Sequence, residues 1–344
     1  MRSVSYYPPV VDRPCDIAGE KLMRYIGPEE VADALPYGEL VESLREIYCA
    51  EGMTAKRDLI DLEQLSETEG TCMAFMPAWG PGHDLTTKIF TLFPGNRKKG
   101  LPTINAVIFV FDPLNGAPKA IVDGTEITRR RTAGMCALAA DYLARPDSKH
   151  LLVCGAGALA PHAALAHAAV RPIEFIKIWA RRPKAAESVA EFVRSQRDDI
   201  EVSVAGDLPA ACRHADIVSC QTSSPEPVIF GKWIEAGTHM DFVGSHDPEK
   251  RECDDEAARK SRIYVDVMET AMKEAGDVLI PLKSGVITKS QIVGDLSDLT
   301  RKRVPGRMSA DEITLFKSTG SALADMAAAE LAVKKAGSAS TASP

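Results

Sequence analysis

Hydrophobic and polar positions follow different periods in different parts of this chain. Between residues 56 and 122, short apolar runs alternate with turn residues such as Pro94-Gly95-Asn96. This pattern is typical of antiparallel strands joined by tight turns. Apolar residues at helical spacing predict one helix at about 31–50, before this region, and another at about 128–144, after it.

Beyond residue 145 the pattern alternates between strands and helices. Strands are predicted to begin at or include Leu151, Phe175, Glu201, Ile217, His239 and Ile263. Strands that are separated by helical segments favour a mostly parallel sheet covered by helices. A final helix is predicted at about 322–335. The fold class indicated by the pattern is therefore α/β.

The stretch 151–182 carries a dinucleotide-binding fingerprint of the Rossmann type. An apolar strand ends at Gly155-Ala156-Gly157, and an alanine-rich helix follows from Ala160, the third small position of G-x-G-x-x-A. Gly155 permits the tight turn, Gly157 lets a pyrophosphate approach, and the helix N-terminus attracts its charge. Because both strands and the helix flank the glycines, a nucleotide site is favoured over a plain glycine-rich turn. The cofactor contacts predicted in this loop are Gly155, Ala156, Gly157, Ala158 and Leu159.

The tip of the second strand indicates which dinucleotide is preferred. NAD-selecting enzymes usually have Asp or Glu there, about 20 residues past the glycines. This chain instead has Ala180, Arg181 and Arg182. Two guanidinium groups can hold a 2′-phosphate, which a carboxylate would repel. The sequence therefore predicts NADPH as the cofactor, with NADH possible, and a solvated basic turn is the alternative interpretation.

Composition excludes several classes of protein. A chain of 344 residues exceeds the length at which one core usually divides, so two domains are expected. The net charge of -7 argues against a nucleic-acid partner. No apolar stretch approaches a membrane span, and no secretory signal pattern is present, so a cytoplasmic location is expected. The eight cysteines and seven histidines lack metal-ligand spacing, which predicts no metal site.

Six sequence blocks are distinctive in combination, and the match to which they belong runs in order over about residues 40–329. They read LTTKIFTLFPGN, GLPTINAVIFVFD, GAPKAIVDGTEITRRRTAG, LLVCGAGALA, VGSHDPEKRE and DEITLFKSTGSALAD. Together they resemble the ornithine cyclodeaminase/mu-crystallin family. The resemblance implies a homodimer and hydride transfer at the α-carbon of an amino acid or its imine. It also implies a substrate-binding and dimerisation domain, 1–130 plus 315–344, and a Rossmann NAD(P)-binding domain, 131–314.

The same resemblance implies which cations bind the substrate. Lys88 and Arg131 lie in quoted blocks that carry the family's carboxylate-binding cations, and Arg57, in the weaker local pattern AKRDLID, is assigned the same role. A single substrate carboxylate needs such fixed donors to be oriented. Lys88 interrupts an apolar strand pattern, and if buried it would need an anionic partner. From the residues alone, a solvent-facing lysine is the alternative. Further cofactor contacts are expected at Thr132, Thr222 and Lys317.

One family landmark bears on the type of reaction. The cyclodeaminase carries an Asp in a motif like VGGDCPGKTE, where it accepts a proton from the substrate amine. In this chain VGSHDPEKRE places His246 at that position and Asp247 one residue later. A histidine titrates near neutrality and can relay a proton. The catalytic candidates are therefore Lys88, His246 and Asp247, and the altered motif weakens the cyclodeaminase interpretation.

The leading hypothesis is an NAD(P)H-dependent reductase of a cyclic imino acid such as 1-pyrroline-2-carboxylate. Hydride transfer to the imine carbon would give the L-amino acid. The enzyme alternatives are an ornithine cyclodeaminase, which converts L-ornithine to L-proline and ammonia with recycled NAD, and an enzyme like alanine dehydrogenase. The alternative from another class is a small-ligand binding protein like mu-crystallin.

Overall fold

The computed structural model of the protein describes residues 23–65, 68–222, 224–245 and 247–340. Within these ranges, seven strands form a mixed sheet in the order β1-β7-β6-β5-β4-β2, and β3 also pairs with β4. Strand β1 runs parallel to β7, whereas β2 to β7 pair antiparallel, as the hairpin pattern predicted. The strands are β1 (Arg24–Ile26), β2 (Thr54–Ala55), β3 (Asp58–Asp61), β4 (Cys72–Trp79), β5 (Leu85–Leu92), β6 (Ile104–Phe111) and β7 (Pro118–Asp123).

The second sheet is parallel throughout and has eight strands in the described part of the chain. Their order is β10-β9-β8-β11-β12-β15-β13-β14. The order reverses between β8 and β11, and α/β proteins bind ligands in the crevice at such a switch point. The strands are β8 (His150–Cys154), β9 (Phe175–Trp179), β10 (Glu201–Val204), β11 (Ile217–Cys220), β12 (His239–Phe242), β13 (Arg262–Val265), β14 (Ile292–Asp295) and β15 (Thr314–Lys317). The two sheets confirm the predicted α/β class.

Helices precede, connect and follow these strands. The predicted helix at 31–50 is in fact two helices, because Pro36 has no N–H to donate and disfavours helical backbone at Leu35. The helix predicted from 128 begins earlier, at Gly124, where the Asp123 carboxylate accepts a hydrogen bond from the first turn. The helices are α1 (Pro28–Ala34), α2 (Tyr37–Cys49), α3 (Gly124–Leu143), α4 (Ala160–Val170), α5 (Pro183–Gln196), α6 (Leu208–His214), α7 (Asp255–Lys260), α8 (Met268–Glu274), α9 (Gly276–Lys283), α10 (Leu296–Thr300) and α11 (Ala322–Ser340).

Helix α3 lies between the two sheets and is buried along most of its length. It shares one hydrophobic core with α2, α11 and the inner face of the mixed sheet. Phe316 of β15 also belongs to this core, and α3 contacts α4 and β12. Residues on α3 therefore lie where the mixed sheet, the parallel sheet and the C-terminal helix meet.

The opposite face of the mixed sheet carries partly exposed apolar side chains. Cross-strand neighbours Phe75, Ile89 and Val107 alternate with the buried positions of their strands and so share this face. Trp79 and Leu85 are exposed near its edge. The ring centroids of Phe109 and Phe111 are 6.4 Å apart. A contiguous apolar face of this kind is typical of a surface that meets another protein.

The expected domain limits each fall inside a regular element. A limit after residue 130 would divide α3, and a limit after residue 314 would divide β15, which pairs with both β12 and β13. If every helix and strand is kept whole, the domain limits fall at the end of α3 and after Lys317, the last residue of β15. The division into two domains stays a prediction.

Candidate active site

One buried carboxylate binds two of the cations predicted from sequence. Asp325 of α11 lies between Lys88 of β5 and Arg131 of α3. The Lys88 Nζ is 2.7 Å from Oδ2 of Asp325, and the Arg131 Nε donates to Oδ1 at 2.7 Å. The side chains of Lys88 and Asp325 are each 2% exposed and that of Arg131 is 6% exposed. A solvent-facing Lys88 is therefore excluded, and the anionic partner that its burial requires is Asp325.

The third predicted cation, Arg57, reaches the same place from the turn between β2 and β3. Its Nη1 is 2.7 Å from Oε2 of Glu274, and its Nη2 donates to the carbonyl oxygens of Thr319 (3.0 Å) and Gly320 (2.9 Å). Gly320 has a φ of +93°, and a Cβ there would lie 3.4 Å from the Arg57 Nη2 and 3.5 Å from the Arg131 Nη1. The positive φ at 320 favours glycine, and both guanidinium groups lie against this residue.

The loop that carries Gly320 is held by a second buried carboxylate, Asp266, which follows β13. Asp266 accepts hydrogen bonds from the backbone N–H groups of Thr319 (2.7 Å) and Gly320 (2.6 Å) and from the Ser318 hydroxyl (3.0 Å). Several charge-assisted hydrogen bonds to one carboxylate fix a loop more firmly than neutral ones. Asp266 therefore sets the position at which Arg57 and Arg131 meet.

Arg57, Lys88, Arg131, Glu274 and Asp325 are called the cation cluster below. It contains three cationic and two carboxylate side chains, so it has one positive charge in excess. Burial lowers the pKa of Lys88 to about 8, since the opposing effect of Asp325 is partly cancelled by the Arg131 charge. Burial alone would raise the pKa of Asp325, but Arg131 and Lys88 hold it below its usual value. The cluster is thus suited to bind one small anion.

The fingerprint glycines lie at the switch point of the parallel sheet. Gly155 has a φ of +126°, and a Cβ there would meet the Gln221 carbonyl oxygen at 3.0 Å. Ala156 and Leu159 are half-buried, Gly157 and Ala158 are exposed, and no atom would crowd a Cβ at 157. The loop therefore combines the strained turn and the open approach that a pyrophosphate site requires.

A narrow cleft connects the glycine loop to α3. Thr132 of α3 and Leu159 of the loop line it, together with Gln221 and Val243. Thr132 directly follows Arg131 along α3. Both the cleft and the cation cluster therefore include α3, through Thr132 and Arg131 respectively.

The strand tip is open to solvent, as its predicted role requires. Ala180 is half-buried after β9, whereas Arg181 and Arg182 are exposed and directly precede α5. Their guanidinium groups are available to an anion that approaches from solvent. Their predicted contact with a 2′-phosphate stays a prediction.

Two further cofactor candidates belong to a buried polar group beside the cleft. The backbone N–H and the hydroxyl of Thr222 donate to Oε1 of Glu252 at 2.6 and 2.9 Å. The Lys317 Nζ lies 2.8 Å from Oδ2 of Asp277 and 3.8 Å from Glu252. Burial raises the pKa of Glu252 to about 7. The Lys317 charge acts to lower this pKa, and the Asp277 charge acts to raise it. The Lys317 side chain is 0% exposed and offers no surface to a ligand, so it supports this group from inside the fold.

The structure describes only one of the two residues predicted to form the proton relay. His246 lies outside the described residues. Asp247 is half-buried, its Oδ1 accepts from the backbone N–H of Glu249 at 2.9 Å, and its Oδ2 is 2.7 Å from the Lys250 Nζ. The catalytic roles of His246 and Asp247 stay predictions.

Sequence reasoning missed the carboxylates that organise the site. Asp325 lies in the quoted block DEITLFKSTGSALAD, and the burial of Lys88 did require an anion. The need for an anion beside Lys88 indicated that a partner exists. The spacing of residues along the chain did not identify Asp325 as that partner. Asp266, Glu252 and Glu274 carried no comparable signal, because each acts through contacts between distant segments.

Two classes of feature were also searched for in the described residues. No helix there combines the length and the apolar character needed to cross a membrane. Within the same part of the chain, no three His, Cys, Asp or Glu side chains are grouped so that they could hold a metal ion.

Comparison with known proteins identifies the family to which the chain belongs. The profile of the ornithine cyclodeaminase/mu-crystallin family matches residues 49–340. A Delta(1)-pyrroline-2-carboxylate reductase of Paracoccus denitrificans is 41% identical over 295 residues, which are 85% of this chain and 90% of the relative. The chain belongs to the ornithine cyclodeaminase/mu-crystallin family, as the sequence blocks predicted.

Solved structures are similar over nearly the whole chain. The Thermococcus litoralis Delta(1)-pyrroline-2-carboxylate reductase, solved in complex with NADH and L-proline, has a TM-score of 0.87 and 34% identity. The similarity covers 92% of this chain and 98% of that one. An archaeal alanine dehydrogenase dimer with bound NAD has a TM-score of 0.84 and 29% identity, over 92% of this chain and 97% of that one.

The shared carboxylate generates a prediction about stability. Asp325→Asn should lower the free energy of unfolding by about 3–5 kcal/mol, because Lys88 and Arg131 would lose their buried counter-ion. Urea unfolding followed by tryptophan fluorescence measures the change. Asp199→Asn, which removes an exposed partner of Arg197, is the control and should leave the unfolding midpoint unchanged. Equal effects of the two substitutions would contradict the assignment.

Proposed function

We propose that the protein is an NAD(P)H-dependent reductase of a cyclic imino acid, a ketimine such as 1-pyrroline-2-carboxylate, and that it forms the L-amino acid. The observation that carries this proposal is the cation cluster, which has a single excess positive charge and shares helix α3 with Thr132, a residue that lines the cleft at the glycine loop. A substrate with one carboxylate balances that charge. The reductases of Paracoccus denitrificans and Thermococcus litoralis support the substrate class.

The residues of the cleft fit a nicotinamide dinucleotide. The loop at Gly155 and Gly157 would hold the pyrophosphate, because its backbone is open there and α4 begins directly behind it. Thr132 lines the cleft at this loop and directly follows Arg131 of the cation cluster along α3. When bound, the cofactor supplies the hydride that the imine carbon accepts.

The cation cluster orients the substrate and supplies a proton. Arg57 and Arg131 bind the carboxylate with donors fixed by Gly320, Glu274 and Asp325. Lys88 carries a proton on Nζ at neutral pH, and its lowered pKa makes it a better acid than an exposed lysine. Lys88 therefore protonates the imine nitrogen as the carbon is reduced. Asp247 and His246 are the second candidates for this proton relay.

A substrate panel tests the function. Purified protein should oxidise NADPH or NADH with 1-pyrroline-2-carboxylate or a six-membered cyclic ketimine, and chiral analysis should identify the L-amino acid. Ammonia release from L-ornithine with catalytic NAD⁺ would instead indicate a cyclodeaminase, and turnover of L-alanine an alanine dehydrogenase. Tight binding of a small ligand without any turnover would favour a binding protein. Each of these three results would contradict the reductase proposal.

Lys88 predicts a pH dependence. A pKa lowered to about 8 means that Nζ loses its proton above pH 8, so kcat/KM should fall about tenfold per unit there. Lys88→Arg stays charged throughout this range and should flatten the fall, even though its activity is lower. The measurement is kcat/KM from pH 6 to pH 10.

The control for this profile is Lys119→Arg, which changes an exposed lysine paired with Asp84. Titration of the substrate itself is common to all variants, so only a difference between profiles is informative. Identical alkaline limbs in the wild type and Lys88→Arg would exclude Lys88 as the proton donor.

We further propose that NADPH is preferred over NADH because Arg181 and Arg182 hold the 2′-phosphate. Arg181→Asp should lower the ratio of kcat/KM for NADPH to that for NADH at least about tenfold, since it replaces a charge-assisted hydrogen bond with repulsion. Arg259→Asp changes an exposed arginine of α7 and is the matched control. An unchanged ratio in Arg181→Asp would refute the phosphate contact.

A second copy of this chain is the partner that we propose for the apolar face of the mixed sheet. The related alanine dehydrogenase is a dimer, and the face of Phe75, Ile89, Val107 and Phe109 is apolar enough to be buried in such a contact. Light scattering should give twice the mass of one chain. Phe109→Asp should shift the distribution toward the single chain, and a monomeric wild type would rule the dimer out.

A further inference from the structure

A line of polar side chains runs through the parallel sheet and ends at the cleft. It begins at His167 of α4, passes Asp241 of β12 and Ser219 of β11, and ends at Gln221, which follows β11. His167, Asp241 and Ser219 are each 0% exposed. Buried polar groups of this kind are destabilising unless each finds a partner, so the pairing of every donor and acceptor in the line can be assigned.

The assignment starts at His167, which carries a proton on both ring nitrogens. Its Nδ1 is 2.8 Å from the Ala163 carbonyl oxygen and its Nε2 is 3.0 Å from Oδ2 of Asp241. Both neighbours are acceptors, so Nδ1 donates to the Ala163 carbonyl and the protonated Nε2 has the Asp241 carboxylate as its ion-pair partner. Burial alone would lower the pKa of His167, but the Asp241 carboxylate and the Ala163 carbonyl raise it above its usual value. His167 and Asp241 therefore form a buried ion pair.

The ion pair fixes the orientation of the two remaining side chains. Because Asp241 is a carboxylate, the Ser219 hydroxyl donates its one hydrogen to Oδ1, at 2.5 Å. The Ser219 oxygen can then only accept from Gln221, so the NH₂ end of the Gln221 amide faces Ser219. The other end of the amide, Oε1, faces away from the line.

Gln221 lies at the switch point between β8 and β11. Its backbone N–H donates to the Cys154 carbonyl oxygen at 2.8 Å, and Gln221 lines the cleft with Thr132 and Leu159. Its Oε1 is screened from solvent and has no hydrogen-bond partner in the described part of the chain. An acceptor held there in a fixed orientation is matched by an N–H donor of a ligand bound in the cleft.

We propose that Oε1 of Gln221 accepts a hydrogen bond from the carboxamide NH₂ of the nicotinamide, and that His167, Asp241 and Ser219 are positioning residues that hold Gln221 in this orientation. The proposal rests on the nicotinamide cofactor of the proposed function. The carboxamide offers an N–H donor, whereas a ribose hydroxyl can donate or accept and would not require an oriented acceptor. The adenine amino group belongs to the far end of the dinucleotide, which the proposed function assigns to Arg181.

Binding of three ligands to Gln221→Leu tests the proposal without any turnover. The ligands are the preferred nicotinamide dinucleotide, its 3-acetylpyridine analogue, in which a methyl group replaces the carboxamide NH₂, and ADP-ribose, which lacks the ring. The wild type should bind the natural dinucleotide about tenfold more tightly than the analogue in calorimetry, the value of one hydrogen bond. Gln221→Leu should abolish this preference and bind ADP-ribose as the wild type does. Gln196→Leu, an exposed glutamine of α5, should change none of the three affinities.

Ser219→Ala tests the positioning role, because it removes the acceptor that orients the amide but keeps Gln221. It should reduce the preference for the carboxamide severalfold and leave ADP-ribose binding unchanged. An equal loss of affinity for all three ligands in Gln221→Leu would show a structural role and overturn the proposal. An unchanged preference of Gln221→Leu for the natural dinucleotide over the analogue would also overturn it.

The same measurements separate this inference from the proposed function. A wild type that binds no nicotinamide dinucleotide would overturn both. A wild type that binds the dinucleotide with the expected preference but reduces no imine would overturn only the proposed reaction.

Discussion

The structure of the site depends on one carboxylate, Asp325, shared by Lys88 and Arg131. The three side chains come from α11, β5 and α3, so the ion pairs join the C-terminal helix to the mixed sheet and to the helix between the sheets. Their burial makes the arrangement obligatory, because each cation would be strongly destabilising without its anion. The charge that remains after this pairing is what the site offers to a ligand.

That remaining charge links stability to chemistry. Two buried cations on one carboxylate are not fully neutralised, and the Arg57 guanidinium is balanced by Glu274. The excess charge attracts an anion, and the same crowding of cations adds to burial in lowering the pKa of Lys88 toward neutrality. A single packing constraint thus gives both the excess positive charge and the lowered Lys88 pKa on which the proposed reductase activity rests.

The nucleotide side of the site is organised by the same principle. Thr132 follows Arg131 on α3 and faces the glycine loop across the cleft, while the ion pair of His167 and Asp241 orients Gln221 from below. Buried charges are paired both in the cation cluster and in the line of side chains that ends at Gln221. In the proposed reaction, the reacting ends of substrate and cofactor would meet beside α3, which carries both Arg131 and Thr132.

The sequence by itself determined the α/β class, the glycine loop, the family and the three cations, because these are encoded in local periods, in contiguous motifs and in ordered blocks. Tertiary structure alone decided the counter-ions: Asp325, Glu274 and Asp266 act on residues far away in the chain. It also decided that the Lys317 side chain is interior and that Pro36 divides the first helical region. The physical reason is that burial and charge pairing are properties of neighbours in space, whereas a sequence pattern reports only neighbours along the chain.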